Sequence, residues 1–195
     1  MVYQKYELNH DKISVFDHTR VKSTIVIEII KKFNLINVTD CGCAEGALLS
    51  YIKQEIPHIN ATAYNLSNDE IDRNIKNIKF AIGNIFNINE ENDCCLLFAV
   101  IHHMLGQVKN KDLVMKKLIF LIQKFGIIEV PLENDALLKM WIDKNTENPD
   151  LYSVLSNKQK FIEWIEPYFE IIEEHIIDYN NSKDLNRIAF VIKKK

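Results

Sequence analysis

The sequence predicts an α/β protein, a three-layer sandwich with a mostly parallel seven-stranded sheet closed by a C-terminal antiparallel β-hairpin. Three observations lead there. Strand-like and helix-like segments alternate from Lys22 to the end, with no Gly/Ser/Pro-rich linker, repeat or low-complexity tract between them. An apolar run ends in an acid, a glycine-punctuated turn follows, and the next segment has helical spacing, which is the order strand, tight loop, helix. The last two apolar runs are joined only by turn-forming residues 178–184, so they pair as a hairpin.

The elements follow in order. Residues 24–30 (Thr-Ile-Val-Ile-Glu-Ile-Ile) precede the first sure strand and read as a helix packed on the sheet, despite their β-branched side chains. Leu35, Ile36 and Val38 lead the first strand into Asp40, and residues 47–52 begin a helix. The second strand covers 61–64. Ser67 with Glu70 three residues on has the form of a capping box, which predicts a helix start there. Strands three and four are read at 78–82 and 94–100, a helix at 112–123, and strand five at 125–130. Helices at 134–144 and Lys158–Ile165 precede the closing strands, Phe169–Ile177 and 187–192. The simplest organisation is one domain over 1–195, with 1–33 as an N-terminal helical cap and 134–165 as helices on the side of a second substrate.

Composition narrows the function classes. At 195 residues, 47% hydrophobic and 26% charged, the chain is long enough for one well-buried core. Its formal charge of −3 gives no footprint for gripping a polyanion, so a nucleic-acid partner is not expected. No apolar stretch reaches the roughly 18 residues that a membrane span needs. The first residues include Tyr, Glu, His and Asp where a signal peptide would be apolar, so the expected location is the cytoplasm. The cysteines form two close pairs, Cys41/Cys43 and Cys94/Cys95, without C-x-x-C spacing. They read as small buried apolar residues in a reducing compartment rather than as zinc ligands completed by His102 and His103, and no metal is expected.

The most informative stretch is Val38-Thr39-Asp40-Cys41-Gly42-Cys43-Ala44-Glu45-Gly46. It sets a carboxylate beside a glycine turn and a helix N-terminus, an arrangement suited to a ligand with a positively charged amino-acid end. The form acid-x-Gly-x-x-x-Gly, with the closing hairpin, resembles the class I S-adenosylmethionine-dependent methyltransferases over residues 20–195. The resemblance implies a methyltransferase with S-adenosylmethionine as cofactor. It implies that Asp40 contacts the methionine end, with Cys41, Gly42, Cys43 and Gly46 forming the loop around it and Arg20 pairing with its carboxylate. At the end of strand two the family usually has an acid that accepts from both ribose hydroxyls, and this chain has Asn65, followed by Leu66. An amide has one acceptor oxygen and no charge, a loss of about 1 kcal/mol per bond, or roughly tenfold. The adenine position, usually acidic, is Asn84, with Ile85 to sandwich the base. Both asparagines fit the drift of a chain rich in Ile, Lys and Asn, and both also fit a degenerate cofactor site.

Methyl transfer is an in-line displacement in which alignment dominates, and a base is needed only for a protonated acceptor. In the resembled fold, the end of strand four and the loop after it face the methyl group, here Phe98-Ala99-Val100-Ile101-His102-His103-Met104. His102 or His103 is the candidate general base, and Glu129 at the end of strand five is placed to orient it or to hold the acceptor. Packing or capping is the competing role for each histidine. The Asn/Asp-Pro-Pro-Tyr/Phe pattern of base-methylating enzymes is absent. The Val-Ile-His-His-Met and Ile-Ile-Glu-Val-Pro segments look most like small-molecule and glycan methyltransferases, so the expected product is an O-methyl group on a small or glycan-type acceptor. Two other readings stand beside it. A catalytically silent methyltransferase-like subunit is suggested by Asn65 and Asn84. An RNA-terminus methyltransferase is suggested by Cys-Ala-Glu-Gly but lacks the Glu-x-x-His metal arrangement of that group.

Overall fold

The computed structural model describes residues 18–68, 71, 75–131, 133, 135–144, 149–177 and 187–195. Seven strands form one sheet in the order β3-β2-β1-β4-β5-β7-β6. They are β1 Asn37–Cys41, β2 Asn60–Asn65, β3 Lys79–Ile82, β4 Cys94–Leu97, β5 Phe125–Pro131, β6 Phe169–Ile177 and β7 Arg187–Lys194. The β3-β2-β1-β4-β5 ladder is parallel throughout, and β7 pairs antiparallel with both β5 and β6. The expected architecture is therefore present, closing hairpin included.

Helices cover both faces. On one side α1 (His18–Phe33) and α2 (Ala47–Glu55) pack Ile25, Val26, Ile29, Leu49 and Ile52 against Val38, Ala63, Leu96 and Ile127. On the other, α3 (Ile101–Val108), α4 (Lys111–Leu121), α5 (Ala136–Lys144) and α6 (Lys158–Ile165) cover Cys41, Leu97, Ile128 and Phe190. A strand's side chains alternate between faces, so near-continuous apolar runs such as Cys94–Leu97 are what a sheet buried on both sides requires. In α1 the buried residues Ile25, Val26, Ile29 and Ile30 recur at helical spacing and leave Thr24 and Glu28 exposed. Burial of that stripe overrides the modest helix propensity of its β-branched residues.

Among the described residues, the structure differs from the sequence expectation at the end of strand four. Strand four ends at Leu97, and what read as its continuation turns through Ala99 (φ 56°) into α3. Ile101, Met104, Leu105 and Val108 have the i, i+3, i+4, i+7 spacing of that helix, a period hidden by the apolar run before it. The helix expected to start at Ser67 falls largely on residues 69, 70 and 72–74, which lie outside the described residues. Asn134 and the hairpin connection 178–186 are also outside the described residues, as are residues 1–17 of the expected N-terminal cap. None of the described helices is long and apolar enough to cross a membrane.

Candidate active site

Parallel strands present their C-terminal ends along one edge, where ligands of open α/β sheets bind. At that edge lie Asp40 of β1, Asn65 of β2, Phe98 just beyond β4 and Glu129 of β5. Antiparallel pairing adds Arg187, which faces Pro131 across β5 and β7. Asp40, Asn65, Phe98 and Glu129 thus share one rim.

The loop after β1 is held tightly. Gly42 and Cys43 donate to the Tyr64 carbonyl at 2.8 and 3.0 Å, so these amides tie β1 to β2. Gly42 and Gly46 have φ near +87° and +88°, where an L side chain is strained. A Cβ on Gly42 would sit 2.8 Å from Val100 Cγ2, and one on Gly46 2.7 Å from Phe80 Cζ. The glycines answer to the protein's own crowding as well as to any ligand. Gly46 begins α2 with no side-chain hydrogen bond capping it, so the positive helix end faces the loop.

Asp40 is 3% exposed. Burial pushes its carboxyl up to about 7, against the opposing pull of the Lys22 ammonium. Lys22, on the same face of α1 as Ile25, Val26 and Ile29, lies over the Phe98 ring at 5.3 Å. Its Nζ is 2.6 Å from Glu129 Oε2, while Glu129 Oε1 accepts from Arg187 Nη1 at 2.8 Å. Arg187 Nε in turn donates to Asp135 Oδ2 at 3.1 Å. A buried chain Lys22–Glu129–Arg187–Asp135 thus joins α1, β5, β7 and the start of α5. With Asp40 ionised, three carboxylates stand against two cations, and the excess negative charge suits a cationic ligand.

The sequence missed Lys22, Asp135 and Arg187. Their signals were a lysine on the apolar stripe of α1 and an arginine in phase with the buried Ala189 and Val191 of β7. Glu129, read as orienting a histidine or holding the acceptor, has both oxygens engaged by Lys22 and Arg187. Arg20 is exposed on α1, where its carbonyl accepts from Ser23 Oγ and Thr24 Oγ1.

The two asparagines have local partners. Asn65 is buried and its Nδ2 donates to the Ser67 carbonyl at 3.0 Å. Asn84 Oδ1 accepts from Phe86 N at 3.0 Å, capping a short 3-10 turn at Ile85–Asn87. Leu66 is 70% exposed beside the end of β2, and Ile85 is half-buried. Cys41 Sγ lies 3.7 Å from Cys95 Sγ in the core, and Cys43 is buried at the loop. No cluster of His, Cys, Asp or Glu among the described residues has metal-binding geometry.

His102 and His103 both lie in the first turn of α3. Their ring centroids are 4.1 Å apart, and Trp141 of α5 stands 5.8 Å from the first and edge-on to the second at 5.0 Å. His102 is buried and His103 exposed. Burial holds His102 down to about 3, assisted by His103 and Arg187 and opposed by Glu129. Partial covering of its ring lowers His103 as well.

No protein-family model matches the chain, and no curated protein matches it. Solved structures do. The N-methyltransferase NodS from Bradyrhizobium japonicum WM9, in complex with S-adenosylhomocysteine, has a TM-score of 0.67 at 14% identity, covering 96% of this chain and 93% of that one. Magnesium protoporphyrin IX methyltransferase (ChlM) from Synechocystis PCC 6803, with bound S-adenosylhomocysteine, has a TM-score of 0.67 at 12% identity, with 91% and 83% covered. The methyltransferase domain of bacterial CtHen1-C has a TM-score of 0.63 at 16% identity, with 91% and 98% covered. The fold is that of the class I S-adenosylmethionine-dependent methyltransferases. At these identities the likeness extends to the fold alone.

Proposed function

We propose that the protein is an S-adenosylmethionine-dependent methyltransferase acting in the cytoplasm, which makes an O-methyl group on a small-molecule or glycan-type acceptor. The observation that carries this reading is Asp40: a carboxylate buried at the end of β1, next to a strained glycine loop and the N-terminus of α2. Burial raises this acid, and a cationic ligand favours its ionised form; the α-ammonium and sulfonium of the cofactor would supply that charge. The residues fit the group. Asp40 with the 41–46 loop would hold the amino-acid end, Asn65 and Leu66 the ribose, and Asn84 and Ile85 the adenine, with Phe98 beneath the reactive end. When bound, the cofactor supplies an electrophilic methyl on a positively charged sulfur.

The chain's own residues do the rest. Lys22 and Arg187 neutralise Glu129 and Asp135, so that the rim offers the acceptor no unbalanced charge beyond that of Asp40. His103 is exposed, with its pKa below the ordinary histidine value, and takes up a hydroxyl proton at neutral pH. Trp141 and His103 form an aromatic wall against which a ring-shaped acceptor stacks.

The test is to incubate the protein with methyl-labelled S-adenosylmethionine and fractionated small-molecule, glycan, RNA and protein acceptors. Label in the small-molecule or glycan fraction is expected. Label only in RNA or protein overturns the acceptor class. A silent subunit is the second reading, favoured by the local bonds of the Asn65 and Asn84 amides. It predicts neither label transfer nor cofactor binding.

A further inference from the structure

Resting on the methyltransferase reading, the geometry points to a division of labour between the two histidines: His102 carries its proton on Nε2 and presents that N–H as a hydrogen-bond donor to an oxygen of the acceptor, while His103 takes the acceptor's proton. His102 is 6% exposed, and its Nδ1 is fully enclosed without a hydrogen-bond partner. Among the described residues Nε2 is not an enclosed, unpartnered atom. A neutral imidazole has one proton to place. On Nδ1 it would make a buried N–H with no acceptor, the rarer and costlier defect in folded proteins. On Nε2 it meets solvent or ligand, and Nδ1 keeps a lone pair.

The surroundings exclude the doubly protonated form. From its own helix His102 faces His103, from β7 it faces Arg187, and from β5 it faces Glu129, while Trp141 of α5 contributes an uncharged ring. Glu129 alone favours a charge, and it is already bound by Lys22 and Arg187. Burial and the two other groups prevail, so the pKa falls to about 3. A group this weakly basic is a poor proton acceptor at neutral pH. His103, one residue on, is exposed and open to proton exchange with solvent. The proton that a hydroxyl loses as its oxygen is methylated passes to the His103 ring and then to water. His102 is thus a positioning donor, selecting acceptors with an oxygen lone pair beside the reacting hydroxyl.

The experiment is a long-range proton–nitrogen correlation spectrum of the nitrogen-15-labelled protein between about pH 5 and pH 8, where an ordinary histidine titrates. Signals are assigned with His103→Asn and His102→Gln, the latter keeping an N–H near the Nε2 position. The expected result is an Nε2–H pattern for His102 that does not change over this range. An Nδ1–H pattern, or a His102 midpoint inside the range, overturns the proposal. Adding S-adenosylhomocysteine to the same sample is expected to shift the His102 Nε2 signal. If the amides of residues 40–46 move and His102 does not, its placement in the acceptor pocket is wrong while the cofactor site stands. If nothing moves, the methyltransferase reading itself fails.

Discussion

Replacing Glu129 by Gln tests whether the buried charge chain holds the sheet rim together. Glu129 is fully buried, 2.6 Å from Lys22 Nζ and 2.8 Å from Arg187 Nη1. Gln has nearly the same shape, so no cavity opens, but its NH₂ cannot accept from either cation. Lys22 then loses its carboxylate partner on β5, and Arg187 keeps only Asp135. Breaking a buried pair by removing one partner costs about 3–5 kcal/mol. Against a total stability of about 5–15 kcal/mol this is severe, equivalent to a fall in Tm of about 6–20 °C for a domain of this size. Urea unfolding followed by circular dichroism gives the free energy, and thermal melts give Tm. A loss below about 1 kcal/mol would mean that the chain is hydrated and contributes as weakly as a surface ion pair. Combining Glu129→Gln with Lys22→Met removes the stranded ammonium. The pair is expected to lose less than the sum of the single losses.

Four further outcomes follow from the site. Asp40 has its pKa raised from 3.8 to about 7, so the folded state holds a proton that the unfolded chain releases earlier; stability of the ligand-free protein therefore falls as pH rises from about 4 to 7, by at most about 4 kcal/mol. A cationic ligand favours the ionised carboxylate, so cofactor affinity rises with pH up to about 7 and then levels off, with proton release visible by calorimetry in buffers of different ionisation enthalpy. Gly46→Ala combines a φ of +88° with a Cβ 2.7 Å from Phe80 Cζ and is expected to lose about 1–3 kcal/mol, whereas Gly83→Ala, with nothing within 4 Å, changes stability by less than about 0.5 kcal/mol in the same denaturant titrations. Asn65→Asp exchanges the bond to the Ser67 carbonyl for a charged acceptor; affinity for S-adenosylhomocysteine should rise about tenfold while stability falls by about 1 kcal/mol.

The sheet was legible because buried parallel strands announce themselves as apolar runs, and because residues 178–184 leave no room for a crossover helix between the last two. Asp40, Gly42 and Gly46 were legible for the same kind of reason, since a strand that ends in an acid and a positive-φ turn needs those residue types in that order. What a sequence pattern does not carry is which charged groups meet across elements. Lys22 and Arg187 are 165 positions apart, and only the docking of α1 over β5 and β7 brings both to Glu129. Arg20 was the natural cation to choose from sequence, yet two positions of helical rotation put it in solvent and Lys22 in the core. His102 and His103 differ for the same reason, adjacent in sequence but on different sides of α3.

The central claim is that Asp40 and its loop hold the amino-acid end of S-adenosylmethionine. Calorimetric titration of the purified protein with S-adenosylmethionine and S-adenosylhomocysteine, beside Asp40→Ala, tests it most directly. The account predicts micromolar binding that the substitution abolishes while the variant stays folded. A folded wild-type protein that binds neither ligand up to millimolar concentration, or an Asp40→Ala variant that binds both unchanged, would contradict it.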